Sequence, residues 1–140
     1  MEIESYSWTH RAQYYETDQM GIVHHSNYIR WFEESRVEFL DKIGYSYKKL
    51  EEDGIISPVL EINCKYKSMV HFGDDVIITP AIKEFNGVRL TIYYEITDAC
   101  TAELRCTGTS SHCFLGKDGL PLRLKKNHTD LYERLLGLVI

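Results

Sequence analysis

The dipeptide Asn86-Gly87 stands between two stretches in which apolar and polar residues alternate. In the second stretch, residues 88–97, the apolar positions are Val88, Leu90, Ile92, Tyr94 and Ile96. A period of two is typical of a strand with one buried face, and Asn-Gly tolerates the positive φ angles of a two-residue type I′ turn. The sequence therefore predicts a β-hairpin of residues 76–85 and 88–97, with one face against a core.

A single long helix is predicted over residues 27–43, because its apolar positions recur every three or four residues. The apolar residues Ile29, Phe32, Leu40 and Ile43 lie on one face together with Arg36, and Tyr28 and Phe39 flank that face. Ser26 or Asn27 can serve as its N-cap, and Gly44 follows as a C-cap residue would. This helix must cover the apolar face of the sheet.

The other predicted elements are a strand over residues 6–16, a short helix over 47–53, strands over 58–67 and 102–115, and a terminal helix over 127–138. Small residues at 108–111 indicate a close approach of another backbone or a helix to the last strand. Consecutive strands joined by short turns imply an antiparallel sheet, so the fold class is α+β. At 140 residues the chain suits one domain, 1–140.

Composition narrows the function classes. The net charge of -5 argues against general nucleic-acid binding, which requires a basic surface. The first ten residues lack the apolar run of a signal peptide, and no segment approaches the ~20 apolar residues of a membrane span, so we expect a soluble, cytoplasmic protein. Four cysteines without a CxxC pair indicate free thiols, and the abundance of tyrosine favours oligomerisation.

The densest run of polar residues, 14–28, joins the first strand to the long helix. A helix N-terminus offers free N–H groups that can hold an oxyanion, and a carboxylate such as Asp18 can act beside it as base or nucleophile. Asp18 can equally be an ordinary loop or capping residue. Glu16 is interpreted as a solvated charge on the strand. A metal site of Asp18, His24 and His25 is disfavoured because neighbouring side chains diverge, and no cofactor is expected.

The run Tyr14-x-Glu-Thr-Asp18-x-x-Gly-x-Val-x-His25-x-Asn-Tyr28 resembles the signature of the 4-hydroxybenzoyl-CoA thioesterase family, especially its branch associated with the Tol–Pal system in bacteria. Residues 30–36 and 66–75 are similar to that family too. The resemblance implies a hot-dog fold, in which a five-stranded antiparallel sheet wraps around the long helix. It also implies edge-to-edge dimers or dimers of dimers with active sites at the dimer interface.

The implied activity is hydrolysis of acyl-CoA thioesters to free acid and CoA. The resemblance makes Asp18 the catalytic carboxylate, with Tyr14 and His25 as further site residues and the backbone N–H of His25 polarising the thioester carbonyl. Tyr28 can line the pocket, although core packing is the alternative, and Lys65 and Lys67 can meet the CoA phosphates. Further cations for that role are Arg89, Arg105, Arg123, Lys125 and Lys126.

Several alternatives stay open. Glu33, Glu34 and Glu38 on the long helix are fallback acids, since a related hot-dog family places its acid there. His24 stands where the branch commonly has Tyr, and Met69 where it commonly has Pro, which leaves the acyl preference open. A carrier-protein thioester can replace acyl-CoA as substrate. A hot-dog hydratase or dehydratase and a non-catalytic acyl-CoA-binding module are the competing functions.

Overall fold

A five-stranded antiparallel sheet with helices on one side forms the fold that the computed structural model shows for residues 6–140. In chain order the elements are β1 (Trp8–Arg11), a 3₁₀ turn (Tyr14–Glu16), α1 (Ser26–Lys42), α2 (Tyr47–Glu52), β2 (Val59–Tyr66), β3 (Asp75–Phe85), β4 (Arg89–Asp98), β5 (Leu104–Cys113), α3 (Leu124–Asn127) and α4 (Thr129–Leu136). The strands lie in the order β1-β3-β4-β5-β2. The predicted α+β class, with a sheet around one long helix, is confirmed.

Helix α1 lies against the sheet through a stripe of buried residues. The stripe comprises Tyr28, Trp31, Phe32, Ser35, Arg36, Phe39 and Leu40. Ile29, predicted on this face, is 38% exposed, because the buried stripe is centred on positions 28, 32, 35 and 39. The predicted N-cap is also wrong: His25 is the N-cap residue and makes no capping side-chain bond, whereas the Asn27 side chain donates to the carbonyl of Glu16. Gly44 ends the helix with a φ of +93°.

The predicted hairpin is present, but its turn differs from the prediction. Phe85 pairs with Leu90, and Gly87 is the turn residue with a positive φ angle, of +88°. A type I′ turn would need positive φ at Asn86 as well. The Asn86 Oδ1 atom instead accepts hydrogen bonds from the amides of Val88 and Arg89, which closes the turn through a side chain.

Two other predicted elements have different bounds in the structure. The first strand ends at Arg11, and residues 14–16 form the 3₁₀ turn instead of strand. The terminal helix, predicted over residues 127–138, is α4, which is shorter at both ends, and the separate short helix α3 precedes it; Leu131, Leu135 and Leu138 are buried as predicted. The close approach at the last strand is confirmed, because a Cβ on Gly108 would collide with the carbonyl of Asn63 and the ring of Phe32.

A chain of buried polar side chains runs between α1 and the sheet. The Arg36 guanidinium donates to the Tyr94 hydroxyl at 3.1 Å, and that hydroxyl lies 2.7 Å from Ser110 Oγ. Ser110 Oγ in turn lies 2.7 Å from His112 Nε2. Burial of the imidazole, together with the charge of Arg36, lowers the pKa of His112 to about 4.

The two edges of the sheet are unlike. Strand β2 is one edge, and apolar side chains along it are exposed, including Val59, Leu60 and Tyr66. On the other side β1 is only four residues long, and beyond it Ile82 of β3 pairs with Val139 and accepts from the amide of Ile140. No helix in residues 6–140 is long and apolar enough to cross a membrane.

Candidate active site

The loop between the 3₁₀ turn and α1 folds back on itself as a tight hairpin. Thr17 pairs with Val23, and the amide of Asp18 donates to the carbonyl of Ile22 at 2.9 Å. Gly21 closes the reversal with a φ of +78°, a conformation that glycine adopts without a Cβ penalty. The Asp18 Oδ1 atom accepts from the amide of Met20 at 2.8 Å. Asp18 is half-buried, and its Oδ2 atom accepts no hydrogen bond from the described residues.

Helix α1 begins immediately after this loop, and its first amides are only partly used. The amide of Ser26 donates to His24 Nδ1, and that of Asn27 donates to the carbonyl of His24. The amide of His25 has no hydrogen-bond partner within residues 6–140. The hydroxyl of Tyr66 donates to the carbonyl of His25 at 3.2 Å and ties the helix start to the end of β2. A free N–H at a helix N-terminus is a ready donor to a developing oxyanion.

A cleft of about 330 Å³ brings the loop and the helix start together. Its lining comprises Asp18, Met20, Ile22, Val23, His25, Tyr28, Tyr66, Lys67, Ser68 and Met69. One carboxylate, one imidazole and one ammonium group thus share a cavity whose other lining residues, apart from Ser68, are apolar or aromatic. Such a mixture of apolar walls with a few polar groups is typical of small-molecule sites.

Not every residue predicted for the site lines this cleft. Lys65 lies on β2 outside it, with its side chain exposed. Tyr14 is 77% exposed and lines a shallow depression with Asp18, where its ring packs edge-on against Phe72. Tyr28 both lines the cleft and belongs to the core, since it is 3% exposed. Asp18, His25, Tyr28 and Lys67 are therefore the predicted residues that the cleft unites.

The histidine pair departs from the sequence-based interpretation. The rings of His24 and His25 lie side by side, with centroids 4.1 Å apart, instead of diverging. His24 Nδ1 is engaged by Ser26 through both its hydroxyl and its amide. Among the residues that the structure describes, no group of three or more His, Cys, Asp and Glu side chains forms a metal-binding cluster.

The sequence-based interpretation of Glu16 as a solvated charge is wrong, because this residue is only 5% exposed. Its Oε1 accepts from His10 Nε2 and the amide of Gln13, each at 2.8 Å, and its Oε2 accepts from Trp31 Nε1 at 2.8 Å. Burial alone would raise the pKa of Glu16, but the donors from His10, Gln13 and Trp31 outweigh it, so the pKa is lowered. The only signal in the sequence was its place two residues before Asp18.

The fallback acids lie elsewhere. Glu33, Glu34 and Glu38 line a separate groove with Trp8 and Val37. Glu34 Oε2 accepts from the Trp8 indole at 3.0 Å and lies 3.3 Å from His10 Nδ1, so this oxygen is already occupied. The first cleft is therefore the better candidate for a catalytic acid.

Arg105 is likewise committed and is not a free cation for phosphate. Its guanidinium pairs with Asp98 at 3.0 Å and Glu103 at 3.3 Å and also donates to Ser68 Oγ. Hydrogen bonds from the Thr101 amide, Arg105 and the Cys100 amide lower the pKa of Asp98 to about 2. The arginine thus fixes the Ser68 segment that lines the cleft.

The sheet around a helix, with an acidic loop at the helix start, is the hot-dog thioesterase fold. The chain belongs to the thioesterase-like superfamily, whose family model matches residues 13–129. This membership confirms the predicted hot-dog fold and the prediction that the chain is an enzyme of the thioester-hydrolase class.

Relatives and solved structures agree with this assignment. The chain is 36% identical over 120 residues to the "Putative acyl-CoA thioesterase YneP" of Bacillus subtilis, covering 85% of this chain and 86% of that protein. It is 25% identical over 99 residues to the acyl-CoA thioester hydrolase YbgC of Escherichia coli, covering 71% and 74%. The crystal structure of a DHNA-CoA thioesterase from Staphylococcus aureus superposes with a TM-score of 0.88 at 32% identity, covering 94% of this chain and 88% of that one.

Proposed function

We propose that this protein hydrolyses acyl-CoA thioesters to free acid and CoA, with Asp18 as its working carboxylate. The observation that carries the proposal is that Asp18 and the start of α1 line the same cleft. A thioester carbonyl placed between them would meet a base or nucleophile on one side and a free amide, that of His25, on the other. The names of the relatives, which include acyl-CoA thioesterases and a DHNA-CoA thioesterase, support the same substrate class.

The chemistry follows from these groups. If Asp18 acts as a general base, it takes a proton from a water molecule while the water oxygen attacks the carbonyl carbon. The resulting oxyanion accepts a hydrogen bond from the His25 amide. Collapse of this intermediate breaks the C–S bond, and the CoA sulfur leaves with a proton. If Asp18 attacks directly, its carboxylate oxygen bonds to the carbonyl carbon, the C–S bond breaks and the CoA thiolate leaves, and water then hydrolyses the acyl–aspartyl anhydride to the free acid and Asp18. One aimed donor contributes roughly 10²–10³ in rate and a positioned base roughly 10²–10⁴.

The side chains around the reacting groups have further roles in this proposal. The His25 imidazole lines the cleft and the Tyr14 hydroxyl belongs to the neighbouring depression that Asp18 also lines, and in this proposal they contact the acyl group or the attacking water. Tyr28 forms the floor of the cleft beneath the acyl group. Lys67, which lines the cleft and is exposed, meets the phosphates of CoA, and Lys65, exposed near the end of β2, extends that contact.

Within the superfamily we place the chain in the 4-hydroxybenzoyl-CoA type, near its Tol–Pal-associated branch, on the strength of the run from Tyr14 to Tyr28. We propose that residues 1–140 form one domain. We also propose that two copies join through the exposed β2 edge to form a homodimer, which is the final assembly or pairs again as a dimer of dimers. The four free cysteines fit a reducing compartment, which supports a cytoplasmic location. Carrier-protein thioesters are the alternative substrate.

The test measures thiol release from short-chain, long-chain and aromatic acyl-CoAs by the wild type, Asp18→Asn and Asp118→Asn. Asp118 is a matched control, because its Oδ1 also accepts from the amide two residues further along the chain, that of Leu120. Its turn, like the Asp18 turn, contains a glycine with a positive φ angle, here Gly119. We expect Asp18→Asn to lower kcat by on the order of 10² or more, and Asp118→Asn to leave it unchanged. Full activity of Asp18→Asn, or no turnover of any acyl-CoA, would refute the proposal.

A further inference from the structure

Glu16 holds together three segments that meet at the Asp18 loop. Its carboxylate accepts from His10 on β1, from the amide of Gln13 at the 3₁₀ turn, and from the indole of Trp31 on α1. A carboxylate has two oxygens and acts only as an acceptor, so three N–H donors at 2.8 Å suit it and no neutral isostere matches it.

The backbone carbonyl of Glu16 extends the same connection into the Asp18 loop, which joins the 3₁₀ turn to α1. Its carbonyl accepts from the amide of His24 at 2.8 Å and from the Asn27 side chain at 2.9 Å. The first of these bonds lies beside the Thr17–Val23 pair that closes the loop, and the second ties the loop to the first turn of α1. The segment that carries Asp18 and the segment that carries the His25 amide are therefore anchored to one residue.

The anchor is itself braced on α1. Trp31 is fully buried, and His10, which contacts Glu16 through Nε2, reaches Glu34 through Nδ1 at 3.3 Å. Trp31 and Glu34 are three residues apart and therefore lie on one side of the helix. The ring of His10 packs against the Trp31 indole with centroids 4.9 Å apart. The Glu16 carboxylate is thus held by partners on both β1 and α1.

We propose that Glu16 is a positioning residue, which sets the Asp18 carboxylate against the free amide at the start of α1 through its bonds to Trp31, His10 and the loop. This role rests on the proposed thioesterase function of Asp18. It assigns to Glu16 no contact with substrate, because its side chain is buried and does not line the cleft. A small displacement of a reacting group lowers the reaction rate strongly, and a misplacement of about 1 Å can lower it about 10²-fold.

The test compares Glu16→Gln with Ser110→Ala. The glutamine amide keeps one acceptor oxygen and turns an NH₂ group toward a donor, so at least one of the three bonds is lost. Ser110→Ala removes a buried hydroxyl with two partners at a site away from the loop and serves as the matched control for lost stability. We expect Glu16→Gln to lower kcat about 10- to 100-fold with KM within about threefold. Ser110→Ala should leave both constants unchanged at temperatures where each variant is folded.

The double variant Asp18→Asn/Glu16→Gln provides a readout that a purely structural residue would not affect. If Glu16 acts through Asp18, its substitution costs nothing further once the carboxylate is gone, and the double variant matches Asp18→Asn. Independent, multiplying losses would overturn the positioning role, as would a Glu16→Gln variant with wild-type kcat.

Hydrogen exchange gives a second measure that needs no turnover. In Glu16→Gln the amides of Asp18 and His24 should exchange faster, while those of β4 stay protected. Unchanged exchange in the loop would count against the anchor. A wild type whose turnover depends on Asp18 but not on Glu16 overturns only the positioning role, whereas a wild type that cleaves no acyl-CoA overturns the thioesterase function and this role with it.

Discussion

The ring of Phe32 lies 2.6 Å from the point that a Cβ atom on Gly108 would occupy. The carbonyl of Asn63 on β2 crowds the same point from the strand side. Helix α1, β5 and β2 therefore meet where only a glycine fits. We expect Gly108→Ala to lower the free energy of unfolding by about 1–3 kcal/mol, because the helix or a strand must shift to admit the methyl group. Urea denaturation measures the change.

A matched substitution on the same strand separates crowding from strand propensity. Ser111 lies on the opposite face of β5, so Ser111→Ala should change the free energy of unfolding by no more than about 0.5 kcal/mol. Equal stability of Gly108→Ala and the wild type would show that the core admits a methyl group at this point.

His112 makes the stability of the protein depend on pH. Its folded pKa of about 4 lies below the value of about 6.5 in an unfolded chain, so the unfolded state binds a proton first as the pH falls. Stability is therefore complete above about pH 6.5 and should fall by up to about 1.4 kcal/mol per pH unit down to about pH 4. Urea unfolding at several pH values in this window measures the slope.

The variant His112→Gln isolates this contribution, because glutamine can keep a hydrogen bond to Ser110 but does not titrate. We expect it to flatten the dependence between about pH 6.5 and about pH 5, where most carboxylates are still ionised. Parallel curves for the variant and the wild type would mean that another group causes the slope.

Lys67 should act on the CoA part of the substrate and not on the chemistry. Because Lys67 lines the cleft and is exposed, we expect Lys67→Ala to raise KM for acyl-CoA about three- to tenfold with little change in kcat. Lys83→Ala, also at an exposed lysine, is the control. An acyl-pantetheine substrate, which lacks the nucleotide phosphates, should remove the difference; a loss that persists there would contradict the phosphate contact.

The exposed edge of β2 predicts an effect on assembly. Leu60 is 45% exposed on this edge, so Leu60→Lys should place a charge in the proposed interface and shift the protein toward the 16.4 kDa monomer. Leu120→Lys, at a turn leucine that is 63% exposed, should leave the assembly unchanged. Size-exclusion chromatography with light scattering measures both, and an unaltered mass for Leu60→Lys would place the interface elsewhere.

Periodic segments were predictable because their signal lies within the segment. Residues 88–97 alternate so regularly that Leu90, Ile92, Tyr94 and Ile96 are all buried in β4 as predicted. The turn before them was less accessible to prediction, because the Asn86 side chain takes over backbone bonds that a type I′ turn would make for itself. A dipeptide preference does not reveal that substitution.

The burial of Glu16 and its hydrogen-bond partners could not be predicted from the sequence, for a different reason. Its partner Trp31 lies fifteen residues away on another element, and its partner His10 lies on β1, so nothing in the local pattern distinguishes this carboxylate from a solvated one. Asp18 was easier, because the resemblance of residues 14–28 to a family signature pointed to it. Side chains that satisfy one another across elements become visible only when the fold brings them together.

The unequal edges of the sheet also limit how many copies can be added to an assembly through strand pairing. A fibre of added strands needs two open edges, one to receive a copy and one to offer to the next. Here one border offers the eight residues of β2, while the other consists of four-residue β1 and a stretch of β3 covered at Ile82 by the last residues of the chain. Two copies joined along β2 would use up the long border of each, so that assembly by this route terminates at a closed pair.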